Sequence, residues 1–173
     1  MWTFRTKEDD MATTGHRVLV VDSPIGPLTL TAEDRALIAI DFGAPPGYAD
    51  GVPSADPVLA ETARQLEAYF AGELRDFDLP LRPSGSPFQL GVWRALADIP
   101  YGETVSYGEL AVRIGQPSAA RAVGRANGRN PIAVVVPCHR VVGADGTLTG
   151  YAGGLVRKAD LLAIESSHRE DGR

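Results

Sequence analysis

The hydrophobic period changes along this chain, and that change limits what it can fold into. Val18-Leu19-Val20-Val21 is a short apolar run, Leu28-Thr29-Leu30-Thr31-Ala32 alternates with period two, and Leu37-Ile38-Ala39-Ile40-Asp41-Phe42 follows a charged turn. With the turn residues Ser23-Pro24-Ile25-Gly26-Pro27 between the first two runs, residues 17–42 read as an antiparallel meander. After a loop rich in Gly, Pro and Ala at 43–57, the spacing becomes helical. Asp56-Pro57 opens a helix through Phe70, with Leu59, Ala63, Leu66 and Phe70 on one face. Residues 80–87 hold three prolines and Gly85 and read as a linker.

Beyond that linker the pattern is mostly helical. Phe88, Val92, Trp93 and Leu96 recur at helical spacing, and Ile99-Pro100-Tyr101-Gly102 ends the helix. Ser106 with Glu109 three residues on is a capping box that starts a helix running to Ile114. Gly115-Gln116-Pro117 is a turn, and Ser118 is expected to cap a second helix, 119–127. Two short helices joined by a tight Gly-containing turn fit a helix-turn-helix, although such corners also occur in ordinary cores. The expected fold is α+β. A small three-stranded antiparallel sheet with one helix is followed by a mostly helical domain. The expected boundaries are a flexible tail at 1–15, domains at 16–82 and 83–166, and a tail at 167–173.

At 173 residues the chain can bury a real core. No apolar run is long enough to span a bilayer, and residues 1–15 carry no secretory signal, so a cytoplasmic protein is expected. One cysteine and three scattered histidines exclude an internal disulfide and a multi-cysteine zinc site, so no metal or cofactor is expected. The net charge of −5 is unevenly spread. Residues 1–82 carry 7 Lys/Arg against 14 Asp/Glu, whereas 83–165 carry 8 against 6. The basic half includes Arg121, Arg125 and Arg129 at four-residue spacing. Such a row is usually a solvated helix face, and it can also meet phosphates.

The same half holds Cys138, after the strand-like run Ile132-Ala133-Val134-Val135-Val136-Pro137 and before His139-Arg140. A lone buried cysteine is usually inert, but cationic neighbours lower a thiol pKa and favour the nucleophilic thiolate. A depressed thiol pKa is therefore expected at Cys138. Glu165, read alone, is a surface carboxylate, Asn130 before Pro131 a turn residue, and Tyr107 a core tyrosine with a satisfied hydroxyl.

Six segments together change that reading. They are Phe88-Gln89 with Val92-Trp93; Ile99-Pro100-Tyr101-Gly102-Glu103-Thr104 with Ser106-Tyr107; Arg121-Ala122-Val123-Gly124 with Ala126-Asn127; Asn130-Pro131; Pro137-Cys138-His139-Arg140-Val141; and Gly150-Tyr151 with Gly153-Gly154 and Lys158. In this order and spacing, residues 88–165 resemble the O6-alkylguanine-DNA alkyltransferase family. The N-terminal half matches in layout, as a ribonuclease H-like domain, and in fragments such as Ser23-Pro24-Ile25-Gly26-Pro27-Leu28.

The resemblance implies one-shot, irreversible transfer of an alkyl group from O6-alkylguanine, and from O4-alkylthymine, in duplex DNA to Cys138 after the base is flipped out. It implies that Cys138 passes its proton through a water to His139, that Glu165 orients His139, and that Asn130 ties the recognition helix to the cysteine segment. Tyr107 would donate to the guanine ring N3, and the carbonyls of Val141 and Cys138 would accept from the guanine amine. Arg121 would fill the gap in the stack, with Ala120, Ala122 and Gly124 letting the helix approach the minor groove. Tyr151, Ala152 and Gly153 would close over the base, with Lys158 near that loop in a weaker role and Arg140 among the DNA-facing cations. Ala152 stands where the family often has Ser, leaving only a backbone N–H there. The implied partner is double-stranded DNA containing O6-alkylguanine, met by a monomer able to act cooperatively on DNA, with no membrane role. The competing readings are a non-catalytic helix-turn-helix protein that recognises alkylated DNA, which would need no thiol, and a cysteine hydrolase, which would place its histidine far from the cysteine in sequence.

Overall fold

The structure is a computed structural model that describes residues 5–6, 15–46 and 56–170, without the side chains of residues 5, 6, 169 and 170. Most of the tail expected at 1–15 and much of the 43–57 loop lie outside the described residues. Two compact units divide the chain, Met1–Gly85 and Ser86–Arg173.

In the first unit, β1 (Arg5–Thr6) runs parallel to β5 (Ser84–Gly85). The main sheet is the meander read from the alternation: β2 (Arg17–Val21), β3 (Leu28–Glu33) and β4 (Ala36–Phe42), antiparallel in that order. Its register sets Leu19 opposite Leu30 and Leu30 opposite Ile40, so one face is a buried apolar row. The helix α1 (Pro57–Phe70) packs on β3 and β4. Asp56 caps it by accepting from the Val58 and Leu59 N–H groups at 2.9 and 3.0 Å.

The buried stripe of α1 differs from the one expected. It is Val58, Leu59, Thr62, Gln65, Leu66 and Tyr69, while Ala63 and Phe70 are only half-buried. Two polar residues enter the core because they complete hydrogen bonds there. Thr62 donates to the Val58 carbonyl, and Gln65 exchanges hydrogen bonds with both main-chain groups of Asp78. The expected linker is also structured at its ends. Leu37 donates to the Pro80 carbonyl and accepts from the Arg82 N–H, and Ser86 caps the next helix.

The second unit begins with α2 (Pro87–Ala97), started by a Ser86–Gln89 capping box. The Ser106–Glu109 capping box is present and starts α3 (Tyr107–Arg113). Next comes α4 (Ala120–Asn127), but Ser118 does not cap it. The Ala119 N–H closes a turn onto Gln116, which places Ala119, without a capping side chain, at that position. A short strand β6 (Val105–Ser106) pairs in parallel with β7 (Val141–Val142). The last helix, α5 (Leu155–Glu170), takes in residues 167–170 of the expected tail.

The run 132–136 is not a strand. It is a buried turn in which Val136 donates to the Ile132 carbonyl, and Val134 takes a left-handed φ of 68°. A β-branched residue adopts that conformation only when its surroundings enforce it. Here Asn130 does much of the enforcing: its amide donates to Val136 O at 2.8 Å and Ile132 O at 3.4 Å, while its oxygen accepts from Ile132 N. Cys138–Arg140 then forms one turn of 3-10 helix. Among the described residues, no helix is long and apolar enough to cross a membrane.

Candidate active site

The 3-10 turn carries Cys138, His139 and Arg140 into the core of the second unit, at 5%, 0% and 5% exposure. Opposite them stands Glu165 on α5, fully buried rather than on the surface. Its carboxylate accepts from His139 Nε2 at 2.8 Å, from Arg140 Nε at 3.2 and 3.0 Å and Nη2 at 2.9 Å, and from the Gly102 N–H at 3.0 Å. Burial would push this carboxyl up, but the His139 contact and the Arg140 guanidinium outweigh it and hold it down to about 2. An ionised Glu165 can only accept, so His139 carries its proton on Nε2. His139 Nδ1 is left as a buried acceptor with no hydrogen-bond partner among the described residues. Burial lowers the His139 pKa, so the ring rests neutral.

Arg140 is therefore not a DNA-facing cation. Its guanidinium is spent on Glu165 and the Ile99 carbonyl, and it lies 5.6 Å from the Tyr101 ring centroid. Arg140 and the Gly102 N–H are the groups that sequence reasoning missed as holders of Glu165. A cation next to the cysteine gave no sign of facing inward.

Asn130 donates to Cys138 Sγ at 3.1 Å. The Tyr151 hydroxyl interacts with the same sulfur, and Lys158 contributes positive charge. These favour the thiolate, but burial dominates and pushes the thiol up. The depressed pKa expected from the flanking cations is thus reversed, because Arg140 is already neutralised by Glu165 and the sulfur is out of water. Tyr151 is raised as well, by burial first and then by Cys138, and remains a protonated donor.

Lys158 is far more engaged than expected. Its side chain is fully buried, and its ammonium donates to Val141 O at 2.6 Å and Thr149 O at 2.7 Å. Burial lowers its pKa. Tyr107, from the first turn of α3, donates to the same Thr149 carbonyl at 3.0 Å, with Lys158 Nζ 5.9 Å from its ring. Tyr107, Ala120, Arg121, Gly124, Arg125, Thr149 and Gly150 line an open groove of about 530 Å³. Arg121 is exposed there, and Ala122 is half-buried and does not line it. Ala152 is exposed on the loop before α5, and Gly153 is buried and accepts from Arg157. The carbonyl of Cys138 accepts from both Val141 N–H and Asn127 Nδ2, so both its lone pairs are engaged rather than open to a base amine. Among the described residues no group of three His, Cys, Asp or Glu side chains could hold a metal ion.

A firmly held imidazole, a buried thiol and a groove lined by a helix with exposed arginines suit transfer to sulfur from a substrate presented by a polyanion. Residues 87–167 match the family model described as 6-O-methylguanine DNA methyltransferase, DNA binding domain, and residues 17–83 match the ribonuclease-like domain of the same family. A methylated-DNA–protein-cysteine methyltransferase of Mycolicibacterium paratuberculosis is 58% identical over 151 residues, 86% of this chain and 91% of the relative. One of Methanosarcina acetivorans is 50% identical over 155 residues, 86% of this chain and 97% of the relative. The crystal structure of Mycobacterium tuberculosis OGT in complex with DNA superposes with a TM-score of 0.79 at 52% identity, covering 87% of this chain and 93% of that one. Both halves of the chain thus match, and it belongs to the 6-O-methylguanine DNA methyltransferase family: it is a DNA-repair alkyltransferase that acts on DNA, and Cys138 is its only cysteine.

Proposed function

We propose that this protein repairs duplex DNA by moving the alkyl group of O6-alkylguanine, and of O4-alkylthymine, onto Cys138 Sγ once per molecule. The observation that carries the residue roles is the buried His139–Glu165–Arg140 cluster beside a protonated thiol. The Sγ–H proton passes by way of a water to His139 Nδ1 as sulfur attacks the alkyl carbon. The C–O6 bond breaks, and its electron pair stays with the departing base. Glu165 stabilises the imidazolium that forms. Tyr107 leaves the Thr149 carbonyl to donate to ring N3 of the flipped base, offsetting the charge that develops there. Val141 O accepts from the base amine, since the Cys138 carbonyl is filled. Arg121 enters the stack from α4, and the loop with Tyr151, Ala152 and Gly153 covers the base. The thioether is stable and nothing in the chain restores the thiol. We read the protein as a cytoplasmic monomer able to bind DNA cooperatively. The test is intact-mass measurement after incubation with O6-methylguanine duplex. One methyl replacing one hydrogen on Cys138 is expected, and turnover without an adduct would refute the scheme.

A further inference from the structure

Asn127, the last residue of α4, is 1% exposed, yet it is an amide. Its Nδ2 donates to the Cys138 carbonyl at 3.3 Å, and its Oδ1 is buried with no hydrogen-bond partner among the described residues. A buried amide with an idle oxygen costs stability that an apolar side chain of similar size would not. Packing therefore does not explain it. Its connections suggest another role. The Asn127 main-chain carbonyl accepts from Asn130 N–H at 3.2 Å, and Asn130 in turn donates to Cys138 Sγ. The adjoining residue of α4, Ala126, is pinned where Trp93 Nε1 donates to its carbonyl at 2.9 Å. The exposed side of the same helix carries Arg121 and Arg125.

We propose that Asn127 is a positioning residue that makes the reactivity of Cys138 depend on whether α4 is seated on DNA. Its side chain bonds α4 directly to the Cys138 peptide, and that peptide sets where Sγ points. A displacement of α4 by phosphate contacts at Arg121 and Arg125 reaches the nucleophile through this amide. The long, singly satisfied bond suits adjustment rather than rigid anchoring.

This inference rests on the proposed DNA-repair reading, and the test keeps the two apart. The free O6-methylguanine nucleobase, which carries no phosphate for Arg121 and Arg125, is reacted with the native protein and with Asn127→Leu, each with and without saturating undamaged duplex. Cys138 alkylation is followed by intact mass. The duplex is expected to accelerate the native protein about fivefold or more, the low end of ordinary coupling between sites. In Asn127→Leu the ratio of the two rates is expected to fall to about one. Thermal melting accompanies both proteins. If Asn127→Leu does not fold, Asn127→Ala, which removes the amide altogether, takes its place. Acceleration that persists in the variant, or is absent from the native protein, overturns the proposal. Failure of the native protein to take the methyl group from O6-methylguanine duplex would instead overturn the repair reading.

Discussion

The two units bury polar groups for different ends. In the first, each buried polar side chain closes main-chain hydrogen bonds or a charge pair near water. Asp56 caps α1 and pairs with Arg17, Thr62 and Gln65 complete backbone groups, and Glu33 pairs with a partly exposed Arg82. In the second, a carboxylate, a guanidinium, an imidazole and an ammonium are buried within one site, and His139 Nδ1 and Asn127 Oδ1 are left unbonded among the described residues. Polar burial stabilises the first unit. In the second, Lys158, Arg140 and Glu165 also close main-chain hydrogen bonds, but the charges are gathered around the protein's one cysteine and leave those two polar atoms open.

The sharpest way to break this contrast is at the sulfur. Cys138→Ala is expected to abolish transfer completely while duplex binding persists in a gel-shift assay. Residual stoichiometric demethylation would remove the chemical half of the comparison.

Next in size is Glu165→Gln, set against Glu33→Gln. The first strands a buried guanidinium and is expected to cost about 3–5 kcal/mol in urea unfolding, together with a large loss of rate. The second leaves Arg82 close to water and to Asp34 (3.4 Å), and about 1 kcal/mol is expected. Equal costs would erase the distinction between the units.

Protonation sharpens it further. The folded His139 resists a proton that the unfolded chain takes up near the ordinary value of 6.5, so stability is expected to fall as pH drops below that value. Glu165 is held at about 2 against an ordinary 4.5, so its contribution is present above 4.5 and lost as pH falls from there towards 2. Transfer should not follow a thiol titration. With the thiol pushed up and His139 neutral, single-turnover rates are expected to be level between about pH 7 and 8 and to decline on the acid side. A rise tracking a depressed thiol pKa would contradict the buried-sulfur description.

Arg121→Ala is expected to slow transfer from duplex about tenfold, with a smaller effect on single strands, where no stack needs filling. Equal losses on both would deny it a role in flipping. The smallest effect belongs to Ser118→Ala, expected to cost under about 0.5 kcal/mol, whereas Ser106→Ala, which removes a real cap, should cost about 1 kcal/mol.

Much of this architecture was readable from local signals. The alternation marked β2 to β4, Asp56-Pro57 marked the start of α1, and Ser106 with Glu109 marked that of α3. Cys138, His139, Glu165 and Asn130 were identifiable by resemblance, and the structure brings them into one site. What stayed hidden depended on long-range contacts. Five consecutive apolar residues at 132–136 have no period to separate a strand from a buried turn, and the turn that holds the left-handed Val134 is bonded at both ends by Asn130, a contact no period announces. Nothing near Arg140 shows that Glu165, 25 residues on, will neutralise it. Gln65 inside the core is intelligible only once Asp78 is seen beside it.

Trp93 has a practical consequence. It is 1% exposed, its indole N–H rests on the Ala126 carbonyl of α4, and the chain has one other tryptophan, Trp2, outside the described residues. Indole emission responds to the bond its N–H makes. With Trp2 replaced by phenylalanine, the unlabelled protein would carry an optical gauge built into the heel of the helix proposed to meet DNA. A titration with duplex would then read the helix's movement as a spectral shift, separately from the chemical step at sulfur.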